Sequence, residues 1–426
     1  MKTLLMILSF VLCAGTNSQT WQIMPGLPEA QGRYEDLWFI NENTGWVVQC
    51  GSPDKIFKTT NGGLNFTEQL SVNAGCLRSV AFNNANLGWA GSLGGHLYRT
   101  TNGGTNWMRV DTTIFPPPVG VCDISVVGDL TMYGSGKYSG PTNIIKTTDG
   151  GITYENIDMG AYSNYQVGIK FMNENTGFVG CRSNIVTEGS VMLYTTDGGN
   201  SWSKRYKSFI QSEHVWNIYF VNSLLGYATV ERFAAGNGAV IKSTDGGLNW
   251  VRINIPGSGN DLDPIGFINA NTGWIANHSG FGLRQTTDGG QTWSLINVGS
   301  SIHGIFIASD SIAYASGNEF YKYTGAVVGI SDPGVNTIPF VNTLEQNYPN
   351  PFNPVTNISY KLIQSTNVVL DIYNANGEFA EVLLQTRQGP GSFSVAWDAS
   401  GYPSGVYFYS LRTDQGNYYG KAVLVK

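Results

Sequence analysis

The chain has 426 residues, a formal net charge of −6 at neutral pH, and only 13% charged residues. That balance offers no electrostatic footprint for nucleic acid or an anionic membrane surface, and the length exceeds one ordinary domain. With 54 glycines, 12% aromatic residues and no long amphipathic period of 3.6, a helical protein is excluded and an all-β class is expected.

Residues 1–18 read as a signal peptide. Lys2 supplies the basic end, residues 4–12 form an apolar run too short to span a bilayer, and Thr16 and Ser18 suit cleavage before Gln19. Cys13 follows bulky Leu12 where a lipoprotein usually has a small residue, which argues against lipidation. After cleavage no transmembrane segment is expected.

A short phrase then recurs six times, every 41 to 48 residues, with its turn residue at Asn61, Asn102, Asp149, Asp197, Asp245 and Asp288. Each is followed by Gly-Gly and then by a ring: Phe66, Trp107, Tyr154, Trp202, Trp250 and Trp293. Asn or Asp before Gly is a strong hairpin signal, because both tolerate positive φ and bond the backbone of their own turn. A period of this size implies one supersecondary unit per repeat.

Each repeat also has an earlier half. Residues 37–41 lead through Asn43-Thr44-Gly45 into Trp46-Val47-Val48, with counterparts starting at Val80, Ile124, Ile169, Ile218 and Ile265. The full unit is strand A, turn, strand B, loop, strand C, Gly-Gly turn, strand D, which is one blade of a β-propeller. A seventh unit, at residues 305–307, 312–314 and 320–323, lacks strand D. Thr20-Trp21-Gln22-Ile23 matches Thr292-Trp293-Ser294-Leu295, so the amino-terminal segment is expected to complete the last blade and hide its edge. The expected architecture is a seven-bladed propeller over residues 19–326.

Ser/Thr-x-Asp-x-Gly-x-x-Trp resembles the Asp-box, or BNR repeat, of sialidases, sortilin-type receptors and xyloglucanases. With Asn-x-x-Gly-Trp in the first hairpin, the blades look most like photosystem II stability and assembly factor propellers. The resemblance implies a structural turn at all six positions, the Asp acting as a cap. Asn61 and Asn102 depart from Asp, which capping tolerates and acid chemistry would not. One fold hosts unrelated activities, so the resemblance speaks to architecture more than to function.

The A–B and C–D turns lie on one face and are short; the B–C and D–A connections lie on the other and vary, where function concentrates. Aligning strand A places Glu35, Arg78, Cys122, Val167, Trp216, Asp263 and His303 at equivalent positions around the channel mouth, with Arg33, Asp36, Asp123, His214 and Asp261 one or two residues away. A solvated rim of ordinary turn carboxylates and a mixed-charge ligand site with Trp216 as its stacking surface both fit this placement.

No catalytic residue is assigned. A sialidase-like site would need three arginines converging on a carboxylate and a tyrosine nucleophile, and the Arg-Ile-Pro phrase of that family is absent. Asp36 with Asp263 or Asp261 could pair for glycoside cleavage, but xyloglucanase-like enzymes usually have two propellers. His96, His214, His278 and His303 fall in different repeats without metal-ligand spacing, so no metal or cofactor is expected. Of the four cysteines left after cleavage, Cys50 and Cys76 belong to neighbouring blades and form the first candidate disulfide; buried free thiols are the rival.

Residues 327–342 read as a linker. Residues 343–426 then carry alternating strands, expected at 358–362, 368–373, 393–397, 406–411 and 421–425, with Asn376-Gly377 as a hairpin turn. That spacing suggests a small immunoglobulin-like β-sandwich. Asn347-Tyr348-Pro349-Asn350-Pro351-Phe352-Asn353-Pro354, Asp371-Ile372-Tyr373-Asn374, residues 401–407 and residues 421–426 are similar to the type A carboxy-terminal sorting domain of type IX secretion cargo. The resemblance implies that the type IX machinery is a partner and that the protein is secreted or attached to the outer surface via the periplasm. The expected function is an exported binding or adhesion module for an extracellular protein or glycan; the alternative is a sialidase-like or xyloglucanase-like glycoside hydrolase.

Overall fold

The computed structural model describes residues 20–325 and 342–426, apart from residues 138, 139, 141, 281, 363–365, 390 and 415. The segment expected to be a signal peptide and nearly all of the expected linker lie outside the described residues. Residues 20–324 form seven four-stranded antiparallel sheets, each running A-B-C-D in space. The seven A strands are Gly32–Phe39, Leu77–Phe82, Asp123–Val127, Ser163–Phe171, Glu213–Phe220, Leu262–Phe267 and Ile302–Ile307. Each packs beside the A strands of both neighbouring blades, the last beside the first, so they line the axis of a closed ring.

The repeated turn works as a side-chain cap. In blade 3, Asp149 accepts from Thr147 Oγ1 (2.8 Å), the Ile152 N–H (2.9 Å) and Thr153 Oγ1 (2.6 Å), while the Gly151 N–H donates to Thr147 Oγ1 (2.9 Å). In blade 1, Asn61 Oδ1 accepts from Thr59 Oγ1 (3.0 Å) and the Asn65 N–H (3.0 Å), so an amide does the same job. Both glycines are left-handed, with φ of 67° and 88° at Gly62 and Gly63. A Cβ on Gly63 would also lie 2.6 Å from the Phe320 ring of the neighbouring blade.

Hydrogen bonds from Ser201, Asn249 and Thr292 hold Asp197, Asp245 and Asp288 down at about 2, against an ordinary 3.8. Because the folded values are depressed, these turns contribute stability that is complete above about pH 4 and lost as pH falls through about 2. The triple variant Asp197→Asn, Asp245→Asn, Asp288→Asn should therefore show a shallower fall in Tm from pH 4 to 2 than the wild type. Parallel curves would contradict the capping role.

Rings connect the blades. Trp46 stacks on Phe82 at 3.5 Å, Tyr133 on Phe171 at 3.5 Å and Tyr227 on Phe267 at 3.9 Å, each joining strand B of one blade to strand A of the next. The ring after the Gly-Gly turn then meets that phenylalanine edge-on, as in Phe82–Trp107, Phe171–Trp202 and Phe267–Trp293. Tyr314 stacks on Phe39 at 4.0 Å and makes the same joint between blades 7 and 1. Thr20–Ile23 supplies the outer strand of blade 7, pairing Thr20 with Thr324 and Ile23 with Tyr321. Trp21 packs edge-on against Trp274 of blade 6 at 5.2 Å.

The carboxy-terminal residues form a β-sandwich. One sheet contains Thr343–Leu344, Val355–Leu362 and Gly391–Asp398; the other orders Phe379–Gln388, Thr366–Tyr373, Gly405–Thr413 and Gly416–Leu424. Between them lie Phe352, Ile358, Tyr360, Leu370, Ile372, Trp397, Tyr409 and Leu411. The proline-rich phrase is pinned to this core: Asn347 Nδ2 donates to Thr356 Oγ1 (2.9 Å), and the Phe352 and Val425 backbones exchange bonds with Val423 and Phe352. Strand Phe379–Gln388 is absent from the sequence expectation. It is largely half-exposed or exposed, and two register shifts against Thr366–Tyr373 interrupt its alternation.

Candidate functional site

The site begins with an irregularity in strand A. In six blades the A–B pairing shifts register near the start of strand A, between Tyr34 and Asp36, Leu77 and Ser79, Ser163 and Tyr165 and again Gln166 and Ile169, Val215 and Ile218, Leu262 and Ile265, and Ile302 and Gly304. The unpaired residues include Glu35, Arg78, Val167, Trp216, Asp263 and His303. A bulge re-aims its side chain away from the regular alternation. Here the shifts gather side chains from separate blades into one cluster.

The polar half of the cluster centres on Glu35, which is fully covered and ion-pairs with both Arg33 and Arg78. Arg78 Nη2 stands 3.4 Å from Asp263, and His303 Nδ1 lies 3.7 Å from Glu35. Burial works to raise the Glu35 carboxyl, but Arg78, with His303 and Arg33, holds it below the usual carboxylate value. Burial wins at Asp263, pushed up to about 8 despite Arg78, and lowers His303 to about 4. The apolar half contains Cys122, Tyr165, Val167 and Trp216 in one buried cluster. Arg78 joins the halves, its guanidinium 5.4 Å from the Trp216 ring centre.

Above this cluster opens a cavity of about 420 Å³ lined by Arg33, Arg78, Tyr165, Arg182, Trp216, Glu231, Phe233, His278 and His303. Of the twelve residues expected at or beside the mouth, Arg33, Arg78, Trp216 and His303 line it. Glu35 and Asp263 sit behind Arg78. His214 is fully buried and bonds Glu231 at 2.9 Å; burial lowers it to about 3 and raises Glu231 to about 8. Asp261 accepts from Asn277 Nδ2 (2.6 Å). Asp36 and Asp123 join blades, accepting the Val80 N–H (2.9 Å) and the Ile169 N–H (2.8 Å). Desolvation raises them to about 8 and about 6.

Tyr165, Arg182, Glu231, Phe233 and His278 were not among the expected site residues. Arg182 and Glu231 lie on strand B directly across from Tyr165 and His214. The usable signal was cross-strand: the residues opposite the starts of bulged A strands.

Cys50 and Cys76 form a disulfide between blades 1 and 2, across a sequence separation of 26. A cross-link of that span restricts the unfolded chain by about 3 kcal/mol. Asp54 receives the Ala74, Cys76 and Leu77 N–H groups and fixes the same loop. Glu35, Cys50 and Cys76 place donor atoms within 4.8 Å of one another, but the two sulfurs are bonded together and are not thiolate ligands. Cys122 and Cys181 are buried free thiols, each pushed up to about 12 by desolvation.

Residues 346–426 match the family described as "Secretion system C-terminal sorting domain". No curated protein matches the chain. Among solved structures, YCF48 bound to D1 peptide is 20% identical with a TM-score of 0.55, covering 73% of this chain and 97% of that one. YCF48 from Cyanidioschyzon merolae is 17% identical with a TM-score of 0.55, covering 71% and 98%. An ancestral GH74 enzyme is 15% identical with a TM-score of 0.54, covering 92% of this chain and 59% of that one. Among the described residues no helix is long and apolar enough to cross a membrane. The chain is thus a seven-bladed β-propeller similar in fold to YCF48, joined to a carboxy-terminal sorting domain that engages the type IX secretion machinery and directs it outside the cell or to the outer surface.

Proposed function

We propose that the protein is an exported binding module whose ligand, an extracellular protein or glycan, sits at the loop-rich mouth of the propeller channel. The observation that carries this reading is the cavity itself. Arginine, imidazole and aromatic side chains from separate blades converge on one concavity, at the mouth where the A strands begin. Concave sites with aromatic walls and a few convergent polar groups are the usual form of a ligand pocket. The signal peptide read at residues 1–18 fits the sorting domain, and the six capped turns fit Asp-boxes serving as scaffold. That YCF48 has been seen with a D1 peptide bound is in keeping with a propeller of this fold presenting a binding surface.

A glycoside hydrolase is the weaker reading. Asp36, one of the two acids it would pair, accepts a backbone N–H from the next blade, and Asp261 holds Asn277. Glycan-array and pull-down measurements on the mature full chain test the proposal. Binding should be lost in Arg33→Ala with Arg182→Ala, both side chains being partly exposed, while Asp288→Ala lowers Tm and leaves binding intact. Loss of binding in Asp288→Ala with retention in the arginine variant would place the site on the wrong face.

A further inference from the structure

The lining of the cavity is lopsided in charge. Arg33, Arg78 and Arg182 bring three guanidinium groups, His278 and His303 bring two imidazoles, and Glu231 is the one carboxyl among the described lining residues. Behind the wall, Glu35 ion-pairs with Arg33 and Arg78 together, and Asp263 lies near Arg78. Burial holds Glu231 and Asp263 at about 8, so at neutral pH Glu35 is the carboxylate of the three that is mainly ionised. Asp261 stands 3.9 Å from His278, so three guanidinium charges face the carboxylates of Glu35 and Asp261, and the mouth keeps a positive surplus.

The remaining wall is aromatic. Tyr165 lies 6.3 Å from Trp216 and 5.3 Å from Phe233, ring centre to ring centre, and Arg182 lies 5.5 Å from the Tyr165 ring. His303 is buried on the lining, and its Nδ1 has no hydrogen-bond partner among the described residues. A guanidinium fork matches a carboxylate in geometry and charge. An aromatic face suits the flat apolar face of a sugar ring. The compact cavity suits a ring better than an extended chain, which would need a groove.

We propose that the cavity binds a carboxylate-bearing sugar ring, a uronic acid at the end of or within an extracellular polysaccharide. This rests on the channel-mouth reading above and narrows it to one ligand class. Arg33 and Arg182 meet the carboxylate at the mouth, and the sugar face lies against the aromatic wall. Neutral sugars lack the charge that would offset the arginines.

Calorimetric titration of the mature full chain with galacturonate and glucuronate oligosaccharides tests the assignment, alongside their methyl esters, neutral counterparts and an aspartate-rich peptide. The acidic sugars should bind at least about tenfold more tightly than the esters or neutral sugars, as loss of a charge-assisted pair requires. Arg182→Gln should weaken uronate binding at unchanged Tm, and adding Arg33→Gln, which also gives up the pair with buried Glu35, should bring the loss to about the same factor with a lower Tm. Binding should also fade as pH rises past about 8. There Glu231, faced by His214, His278, Asp261 and Arg78, and Asp263, faced by Arg78, Glu35 and Glu231, become charged.

Equal affinity for esterified or neutral sugars, or preference for the peptide, with the same arginine dependence, overturns the ligand class and keeps the mouth as a binding site. Uronate binding that ignores both arginine substitutions overturns the class and the site together. No uronate binding at all overturns the class, and the arginine-dependent pull-down then decides the broader reading separately.

Discussion

Deleting Thr20–Ile23 is expected to open the ring. Those residues form the outer strand of blade 7, and their loss bares the edge of Phe320–Thr324 and removes Trp21 from its contact with Trp274. An unpaired edge is a template for association between chains. Losing a strand of backbone pairing and a partly buried indole should lower Tm by on the order of 10 °C, broaden the transition and promote aggregation. Trp21→Ala alone should show a smaller shift in the same direction. A deletion variant as stable, cooperative and soluble as the parent would mean that closure rests on the Phe39–Tyr314 and Phe66–Phe320 contacts between blades 7 and 1.

The second large effect concerns export. The sandwich has its own core from Phe352 to Leu424, while the propeller closes with its own amino-terminal strand. Among the described residues neither sheet system borrows a strand from the other. Removing residues 343–426 should therefore leave a folded propeller with nearly unchanged Tm for its own transition. In its own host that propeller should be stranded in the periplasm, with extracellular and surface amounts falling to background. Fusion of residues 343–426 to an unrelated periplasmic protein should carry it outside. Normal export of the truncated chain, together with failure of the fusion, would contradict the sorting role.

Some features were legible because they rest on local chemistry. Asn or Asp before Gly-Gly encodes two successive left-handed residues and a side-chain acceptor, and the six turns follow that rule. The likeness of Thr20–Ile23 to the strand after Asp288 was likewise visible, because an outer strand alternates in the same way wherever its chain segment originates. Strand Phe379–Gln388 was not legible, since its bulges and exposed faces remove the period of two.

At the site, aligning strand A drew attention to Glu35, Arg78, Trp216, Asp263 and His303, because all five sit at the break in regular pairing. What alignment could not supply was direction. Asp36 is the next residue after Glu35, yet it turns to the backbone of the adjacent blade. His214 lies two residues before Trp216 and is sealed beneath Phe233 and Tyr165. Phe233 and His278 come from ends of strand B and from loops whose lengths differ between blades, where repeat alignment has nothing to match.

The central claim, that an exported propeller binds its ligand at the loop-rich mouth, is tested most directly by site-specific photo-crosslinking on living cells of its own host. A photoreactive phenylalanine analogue would replace Phe233, half-exposed on the cavity lining, and Ile152 or Leu248 in the exposed Gly-Gly turns of the opposite face. Crosslinked adducts with surface-exposed protein or glycan are expected from position 233 and none above background from 152 and 248. Adducts from the turn positions alone, with none from the mouth, would contradict it.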